Sequence, residues 1–255
     1  MNTIFISWSR ETRPIAEAIT AWLSSRCTND RGWMSDADIV AGQKWRSEID
    51  KALKTAQCSL ACIGPSAISS PWVLYEAGAI AATKPIIPVT LLVPLARLPP
   101  ILSDIQVLSA FQNETALPNL DFPASLARAL ASPLLNCAIQ EDATADSALL
   151  SALQAFAQEQ TRFYVSALRA TKRADSLVEI LRFIDAHPNT TPRSISESDV
   201  INDILGKKFL VALALFWLKE QGFVEISEFD NITSGKLSIS LSGKLVLRAT
   251  EYSNA

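Results

Sequence analysis

The chain has 255 residues, of which 49% are hydrophobic and 19% charged, and its formal net charge is −3. This composition is typical of a soluble globular protein with enough length for one large or two modest domains. No membrane-spanning helix is expected, because no apolar run reaches ~18 residues and the longest, Pro85–Leu95, is strand-sized and contains prolines.

Three further features of the sequence limit which classes of protein and of chemistry are possible. They are the N-terminus, the cysteines and the single histidine. Residues Met1–Ser7 lack the basic stretch and cleavage site of a secretion signal, and they predict a first strand. The four cysteines, with no CxxC pair, favour buried thiols in a reducing cytoplasm. Because the one histidine is His187, histidine triads and histidine-ligated metal sites are excluded from the earlier part of the chain. Chemistry there would use carboxylates, hydroxyls or amides, without a metal.

Short buried-type strands alternate with amphipathic helices over the first half of the chain. The predicted strands are Thr3–Ser7, Gly32–Ser35, Cys58–Ile63, Pro85–Val93 and Ile105–Leu108, and the predicted helices are Thr12–Arg26, Arg46–Thr55, one that includes Trp72–Glu76, and Phe122–Ala131. This alternation predicts an α/β fold with a parallel sheet and helices on both faces. The polar turn after the first strand lies at the carboxyl edge of the sheet, where open α/β sheets bind ligands.

The run Ser70–Ala79 contains the most informative helix. Pro71 suits the first turn of a helix, because it has no N–H to lose there. Trp72 and Glu76 are four residues apart and therefore share one face. A carboxylate on this apolar helix is either an exposed surface group or a functional one.

Three motifs in order resemble a known family. They are Phe5-Ile6-Ser7 with its polar turn, the loop Asp36–Trp45 (Asp-Ala-Asp-Ile-x-x-Gly-x-x-Trp), and Ser70–Ala79. Together they resemble a Toll/interleukin-1 receptor (TIR) domain of the bacterial type over about residues 1–136. The resemblance implies a flavodoxin-like parallel sheet. For many bacterial members it also implies cleavage of NAD⁺ at the nicotinamide–ribose bond in defence against phage.

The resemblance also implies roles for individual residues. Glu76 matches the catalytic glutamate, and Trp72 matches its partner in the W-x-x-x-E spacing. Trp72 or Tyr75 could wall the pocket, although plain packing against the sheet explains Trp72 equally well. The residues expected beside the nucleotide are Ser7, Trp8, Ser9 and Arg10.

Two assignments have open alternatives. Arg10 either pairs with a phosphate or is a solvated turn residue. The family often has two basic residues where this chain has Ser9-Arg10, which leaves the phosphate contacts open. Asp36 and Asp38 match a loop that covers the pocket and contacts a neighbouring protomer, but local turn chemistry explains them equally well.

The chemistry of NAD⁺ cleavage agrees with these residue types. As nicotinamide leaves, positive charge develops on the ribose, and one carboxylate near the sugar can stabilise it. Glu76 would supply that carboxylate. No metal or cofactor is required, since NAD⁺ is the substrate.

The rest of the chain has a different order of predicted elements, in which helices come first and a hairpin follows. The predicted elements are a long helix Ala143–Arg173, helices Ser176–His187, Ser196–Leu205 and Lys207–Gln221, a hairpin of Phe223–Phe229 with Lys236–Leu241, and a last helix Ser242–Thr250. This order resembles a winged-helix domain. We therefore predict a TIR domain at residues 1–140, a helical linker at 141–173 and a small α+β winged-helix-like domain at 174–255.

The charge of the last domain argues against nucleic acid. Residues 174–255 contain eight Lys and Arg and eleven Asp and Glu, a net charge of −3, whereas phosphate-driven binding requires a basic face. We favour a module that contacts a protein trigger or sensor.

Three hypotheses follow for the whole chain. The first is an NAD⁺ glycohydrolase or cyclase activated by self-association. The second is a non-catalytic TIR scaffold, and the third a nucleic-acid-binding regulator. The intact Trp72 and Glu76 favour the first. The product, linear or cyclised, depends on which nucleophile reaches the ribose and stays open, as does the activating trigger.

Overall fold

The structure is a computed structural model of the whole chain. It describes residues 2–27, 30–34, 45–67, 84–93, 95–98, 100–103, 105–112, 115–131, 140–171, 174–188, 214–215, 218, 223–227 and 236–252. The chain divides into two compact units, Met1–Ala157 and Gln158–Ala255. The predicted domain boundaries stay predictions.

The first unit is built on a single parallel sheet. Its elements are β1 (Asn2–Ser7), α1 (Arg13–Arg26), β2 (Asp30–Trp33), α2 (Trp45–Thr55), β3 (Cys58–Ile63), β4 (Ile86–Thr90), a 3₁₀ helix (Leu95–Arg97), α3 (Pro100–Ser103), β5 (Leu108–Ser109), α4 (Phe122–Leu130) and the start of α5 (Ala143–Ala170). The five strands run in the order β2-β1-β3-β4-β5, and all neighbours are parallel. The expected α/β, flavodoxin-like fold is therefore confirmed.

The central strands form because their sequences are apolar without interruption. Ile4, Phe5 and Ile6 of β1 are at most 2% exposed, and all six residues of β3 are buried. Such runs are typical of parallel strands that helices cover on both faces. Phe5 stacks on Trp33 of β2 with ring centroids 5.1 Å apart, so Trp33 belongs to the core of the sheet.

Four strands differ in their bounds from the prediction, and β1 differs only by starting at Asn2 instead of Thr3. β4 ends at Thr90 instead of Val93, because Leu92 has a φ of 59° and leaves the extended conformation. β2 begins at Asp30 instead of Gly32, because its register on β1 starts at that residue. β5 is reduced to two residues, since only Leu108–Ser109 pair with β4.

A buried arginine joins α1 to the start of α5. The Arg26 Nη1 lies 2.5 Å from Asp146 Oδ1, and its Nε donates to the Gln140 carbonyl at 2.6 Å. The Trp22 indole donates to the same Asp146 oxygen at 2.7 Å. The Arg26 Cζ also lies 4.9 Å from the centroid of the Trp22 ring, a cation–π distance. The guanidinium is thus buried with its charge neutralised and hydrogen-bonded.

The second unit combines helices with a hairpin. Its described elements are α6 (Ala174–Ala186), β6 (Val224–Ser227), β7 (Lys236–Ile239) and α7 (Leu241–Tyr252). β6 and β7 pair antiparallel, as the alternating sequence predicts. The predicted helix Ser196–Leu205 and most of Lys207–Gln221 lie outside the described residues, so the winged-helix assignment stays a prediction.

Two further observations concern the described part of the chain. Cys27, Cys58 and Cys62 are buried thiols, as expected, whereas Cys137 lies outside the described residues. Within the described ranges, no helix is both long enough and apolar enough to cross a membrane.

Removal of the Asp146 carboxylate tests the buried ion pair. Asp146→Ala should lower the free energy of unfolding by about 2–3 kcal/mol, because it leaves a buried guanidinium without its counter-charge. This is below the range for fully buried pairs, since the Asp146 side chain is 32% exposed. Urea unfolding followed by circular dichroism measures the change. The control is Glu141→Ala, which removes an exposed carboxylate nearby. Equal midpoints for both variants would contradict the assigned role.

Candidate functional site

The strand order identifies one edge of the sheet as a place for a ligand. From β1 the chain adds β2 on one side, then returns to add β3, β4 and β5 on the other. In doubly wound sheets, ligands bind outside the carboxyl ends of the strands at such a reversal. Here the reversal lies between β1 and β3. Two turns follow these strands: the first turn (residues 8–12) and the second turn (residues 64–67).

The first turn is held by a buried threonine. The Thr12 hydroxyl accepts from the Ser9 amide at 2.9 Å, and the Thr12 amide donates to the Ser9 carbonyl at 2.9 Å. The Thr12 hydroxyl also lies 3.3 Å from the Cys62 carbonyl of β3, to which it can donate. Thr12 is 0% exposed and is the N-cap residue of α1. The first turn is therefore fixed to both α1 and β3.

A carboxylate joins the first turn to the second. Glu11 Oε2 accepts from the Ser66 amide at 2.9 Å and from the Ser66 hydroxyl. Its other oxygen, Oε1, is buried and has no hydrogen-bond partner among the described residues. The second turn is closed by the Ala67 amide, which donates to the Gly64 carbonyl at 3.0 Å. We name the Glu11–Ser66 contact the turn clasp.

The turn clasp depends on the absence of a side chain at residue 64. A Cβ on Gly64 would lie 2.7 Å from Thr12 Cγ2 and 3.2 Å from the Glu11 Cδ. The first distance is shorter than real Cβ contacts. Glycine is therefore the residue that lets the two turns approach this closely.

Glu11 is not among the site residues predicted from the sequence. In the sequence it is one polar residue in a turn that precedes a helix, and acidic residues are common there for local reasons. Its partner Ser66 lies 55 residues further on. The only available signal was the position of both residues directly after predicted strands, whose carboxyl ends meet in a parallel sheet.

The predicted nucleotide-binding residues lie on and beside the first turn. Ser7 is buried at the end of β1, Trp8 and Ser9 are half-buried, and Arg10 is exposed. The Arg13 Cζ lies 5.5 Å from the centroid of the Trp8 ring, a cation–π distance. The structure thus brings these four residues to the β1 end of the β1/β3 reversal, and their binding roles stay predictions.

The other predicted site residues lie outside the described residues. They are Asp36, Asp38, Trp72, Tyr75 and Glu76. Trp45 is the first residue of α2, but its side chain is not described.

The segment 68–83, which contains Trp72 and Glu76, is flanked by two described anchors. Before it, the turn clasp holds Ser66. After it, the Lys84 Nζ donates to carbonyls at the end of α2: those of Leu53 at 3.2 Å, Lys54 and Ala56. A cation suits this position, because carbonyls at a helix C-terminus lack intrahelical partners.

Among the described residues, neither a metal cluster nor a reactive thiol lies near these turns. Within the described part of the chain, no group of three or more His, Cys, Asp and Glu could hold a metal ion. Burial raises the pKa of the Cys62 thiol from its ordinary 9.0 to about 12. Cys62 is therefore a neutral thiol at physiological pH and does not provide a nucleophile beside the second turn.

These features define a doubly wound α/β domain with polar turns joined at the edge formed by the carboxyl ends of β1 and β3. The comparison with protein families gives the particular class: residues 4–130 match the family model of the TIR domain. The first unit of the chain therefore contains a TIR domain.

Solved structures of TIR proteins also match. A metazoan TIR-STING receptor from C. gigas in complex with 2′,3′-cGAMP is 18% identical with a TM-score of 0.41, and the match covers 51% of this chain and 39% of that chain. The TIR domains of the activated Roq1 resistosome, which directly recognises the pathogen effector XopQ, are 16% identical with a TM-score of 0.33 and coverages of 62% and 84%. No curated protein matches the chain.

Alkylation tests the state of Cys62. At pH 8, iodoacetamide should leave Cys62 unmodified in the native protein and modify it rapidly in urea, because burial suppresses the thiolate. Peptide mass spectrometry distinguishes Cys62 from the other cysteines. Since the native thiol ionises only near pH 12 and the unfolded one near pH 9.0, Cys62 stabilises the native state less as pH rises above 9.0. Rapid native modification would contradict the burial.

Proposed function

We propose that the protein is an NAD⁺ glycohydrolase or cyclase that breaks the nicotinamide–ribose bond. The observation that carries the proposal is the TIR domain at residues 4–130, which contains the Trp72 and Glu76 spacing. Further support comes from the turn clasp, because it lies at the ligand-binding edge and directly precedes the segment 68–83 in the chain.

The proposed reaction needs only one carboxylate. Nicotinamide in NAD⁺ is already a cationic leaving group, so it departs as a neutral molecule without a general acid. Positive charge then develops on the ribose, and Glu76 stabilises this charge electrostatically. Attack by water gives ADP-ribose, and attack by an atom of the same nucleotide gives a cyclic product.

The first turn would hold the nucleotide. The half-buried Trp8 offers an aromatic face whose position is supported by Arg13. The exposed Arg10 offers a guanidinium to a phosphate. Trp72 and Tyr75 would complete the apolar wall of the pocket, with Asp38 in the loop that covers it.

A conservative change at Glu76 tests the chemical step. Glu76→Gln keeps the size of the side chain and removes its charge, so kcat for NAD⁺ cleavage should fall by about 10²–10³-fold or more. Chromatographic detection of nicotinamide measures it, and circular dichroism reports on folding. The matched control, Glu141→Gln at an exposed position, should keep wild-type kcat. Full cleavage by a folded Glu76→Gln variant would remove Glu76 from the mechanism.

The activity is proposed to depend on self-association. An NAD⁺-degrading enzyme that worked constantly would deplete its own cell, so a resting inactive state is required. The loop Asp36–Trp45 is the proposed contact between TIR protomers, and the second unit is the proposed receiver of a protein trigger. A role in bacterial defence against phage and a cytoplasmic location belong to the same proposal.

Dilution tests the dependence on assembly. Specific activity should rise with protein concentration, because protomers must meet to complete the site. Asp38→Ala and Gly42→Arg should lower activity without unfolding the domain. Flat specific activity over a hundredfold dilution, with light scattering reporting a monomer, would indicate a self-contained site. A concentrated wild-type protein that releases no nicotinamide would favour a non-catalytic TIR scaffold.

A further inference from the structure

We propose that Glu11 is a positioning residue of this TIR domain, which fixes the second turn against the first and thereby sets the position of the segment that begins at residue 68. This inference rests on the proposed function, because the reaction that it serves is NAD⁺ cleavage with Glu76. Glu11 is not proposed to touch the substrate.

The two turns are fixed by different contacts, and Glu11 contributes to the position of the second turn rather than the first. Thr12 fixes the first turn to α1 and β3 without any help from Glu11. The hydrogen bonds described between the two turns include those that Glu11 Oε2 accepts from the amide and hydroxyl of Ser66. Loss of the carboxylate should therefore loosen the second turn and leave the first turn in place.

The geometry of the turn clasp indicates that Glu11 fixes the position of its neighbours rather than taking part in the chemistry. Hydrogen bonds to a carboxylate are shorter and stronger than neutral ones. One oxygen binds both donors of Ser66, so the position and direction of that residue are set together. The second oxygen is buried, and Gly64 packs directly against the carboxylate. A carboxylate whose one oxygen is used by Ser66 and whose other oxygen is buried suits a supporting role.

The consequence for catalysis follows from chain connectivity. Ser66 lies two residues before the segment 68–83 and ten before Glu76, and the predicted pocket residues Trp72 and Tyr75 belong to the same segment. A misplacement of about 1 Å can cost about 10²-fold in rate. Loss of the clasp should therefore lower kcat for NAD⁺ cleavage.

Three substitutions at residue 11 separate geometry from charge. Glu11→Gln keeps an acceptor oxygen at the same reach, so kcat should stay within about threefold of wild type. Glu11→Asp keeps the charge but is one methylene too short to reach Ser66, and Glu11→Ala removes the acceptor. Both should lower kcat by about 10-fold or more.

Hydrogen exchange gives a readout that does not need activity. In the wild type the Ser66 amide is hydrogen-bonded to Glu11, so peptides that cover residues 64–67 should exchange slowly. Exchange there should accelerate in Glu11→Asp and Glu11→Ala, stay slow in Glu11→Gln, and stay unchanged in β1 for all three. Gly64→Ala, whose Cβ would lie 2.7 Å from Thr12 Cγ2 and 3.2 Å from the Glu11 Cδ, should also accelerate the same peptides.

The outcomes are distinct. Wild-type kcat in Glu11→Ala, or unchanged exchange at residues 64–67, overturns the positioning role. A kcat loss in Glu11→Gln equal to that in Glu11→Ala also overturns it, because it assigns the effect to charge. The expected exchange pattern in a wild-type protein that releases no nicotinamide instead overturns the proposed function and leaves the clasp between the turns standing.

Discussion

The architecture of the first unit depends on β1, a strand with hydrogen-bonded parallel neighbours on both sides. Its backbone groups are used by β2 and β3, and its apolar side chains are buried on both faces. β1 can therefore end only where its sequence becomes polar, after Ser7. That ending places the first turn beside the second, because parallel strands deliver their carboxyl ends to one edge.

The polar groups at this edge differ in how deeply they are buried and in how many hydrogen-bond partners they have. Thr12 is fully buried and its hydroxyl has partners in the first turn and in β3. The Glu11 carboxylate is partly buried, and one of its two oxygens accepts hydrogen bonds from Ser66. Arg10 is exposed. The edge thus changes over three consecutive residues from a buried, hydrogen-bonded hydroxyl to an exposed cation.

The sequence predicts local features well and distant pairings poorly. β3 was predicted with its observed bounds, because an uninterrupted apolar run of that length is typical of a buried parallel strand. β4 was predicted too long, since nothing in Leu91-Leu92-Val93 announces the positive φ of Leu92. The clasp of Glu11 joins residues 55 apart and the ion pair of Arg26 joins residues 120 apart. Such partners are brought together by the fold, and the spacing of residues in the sequence does not reveal them. The placement of Ser7–Arg10 at the ligand-binding edge was predictable, because it needs only the strand order.

The lysine that follows the segment 68–83 has a practical consequence. The ammonium group of Lys84 donates hydrogen bonds to the carbonyls of Leu53, Lys54 and Ala56. It therefore provides partners for the carbonyls at the end of α2, as backbone amides do in a glycine-based C-cap. Acylating reagents used for labelling, cross-linking or surface immobilisation neutralise lysine amines. Applied to this protein, they would remove the charge that binds these carbonyls at the end of α2 while leaving the sequence intact. Attachment through an added terminal cysteine would preserve the native fold, since the described native cysteines are buried.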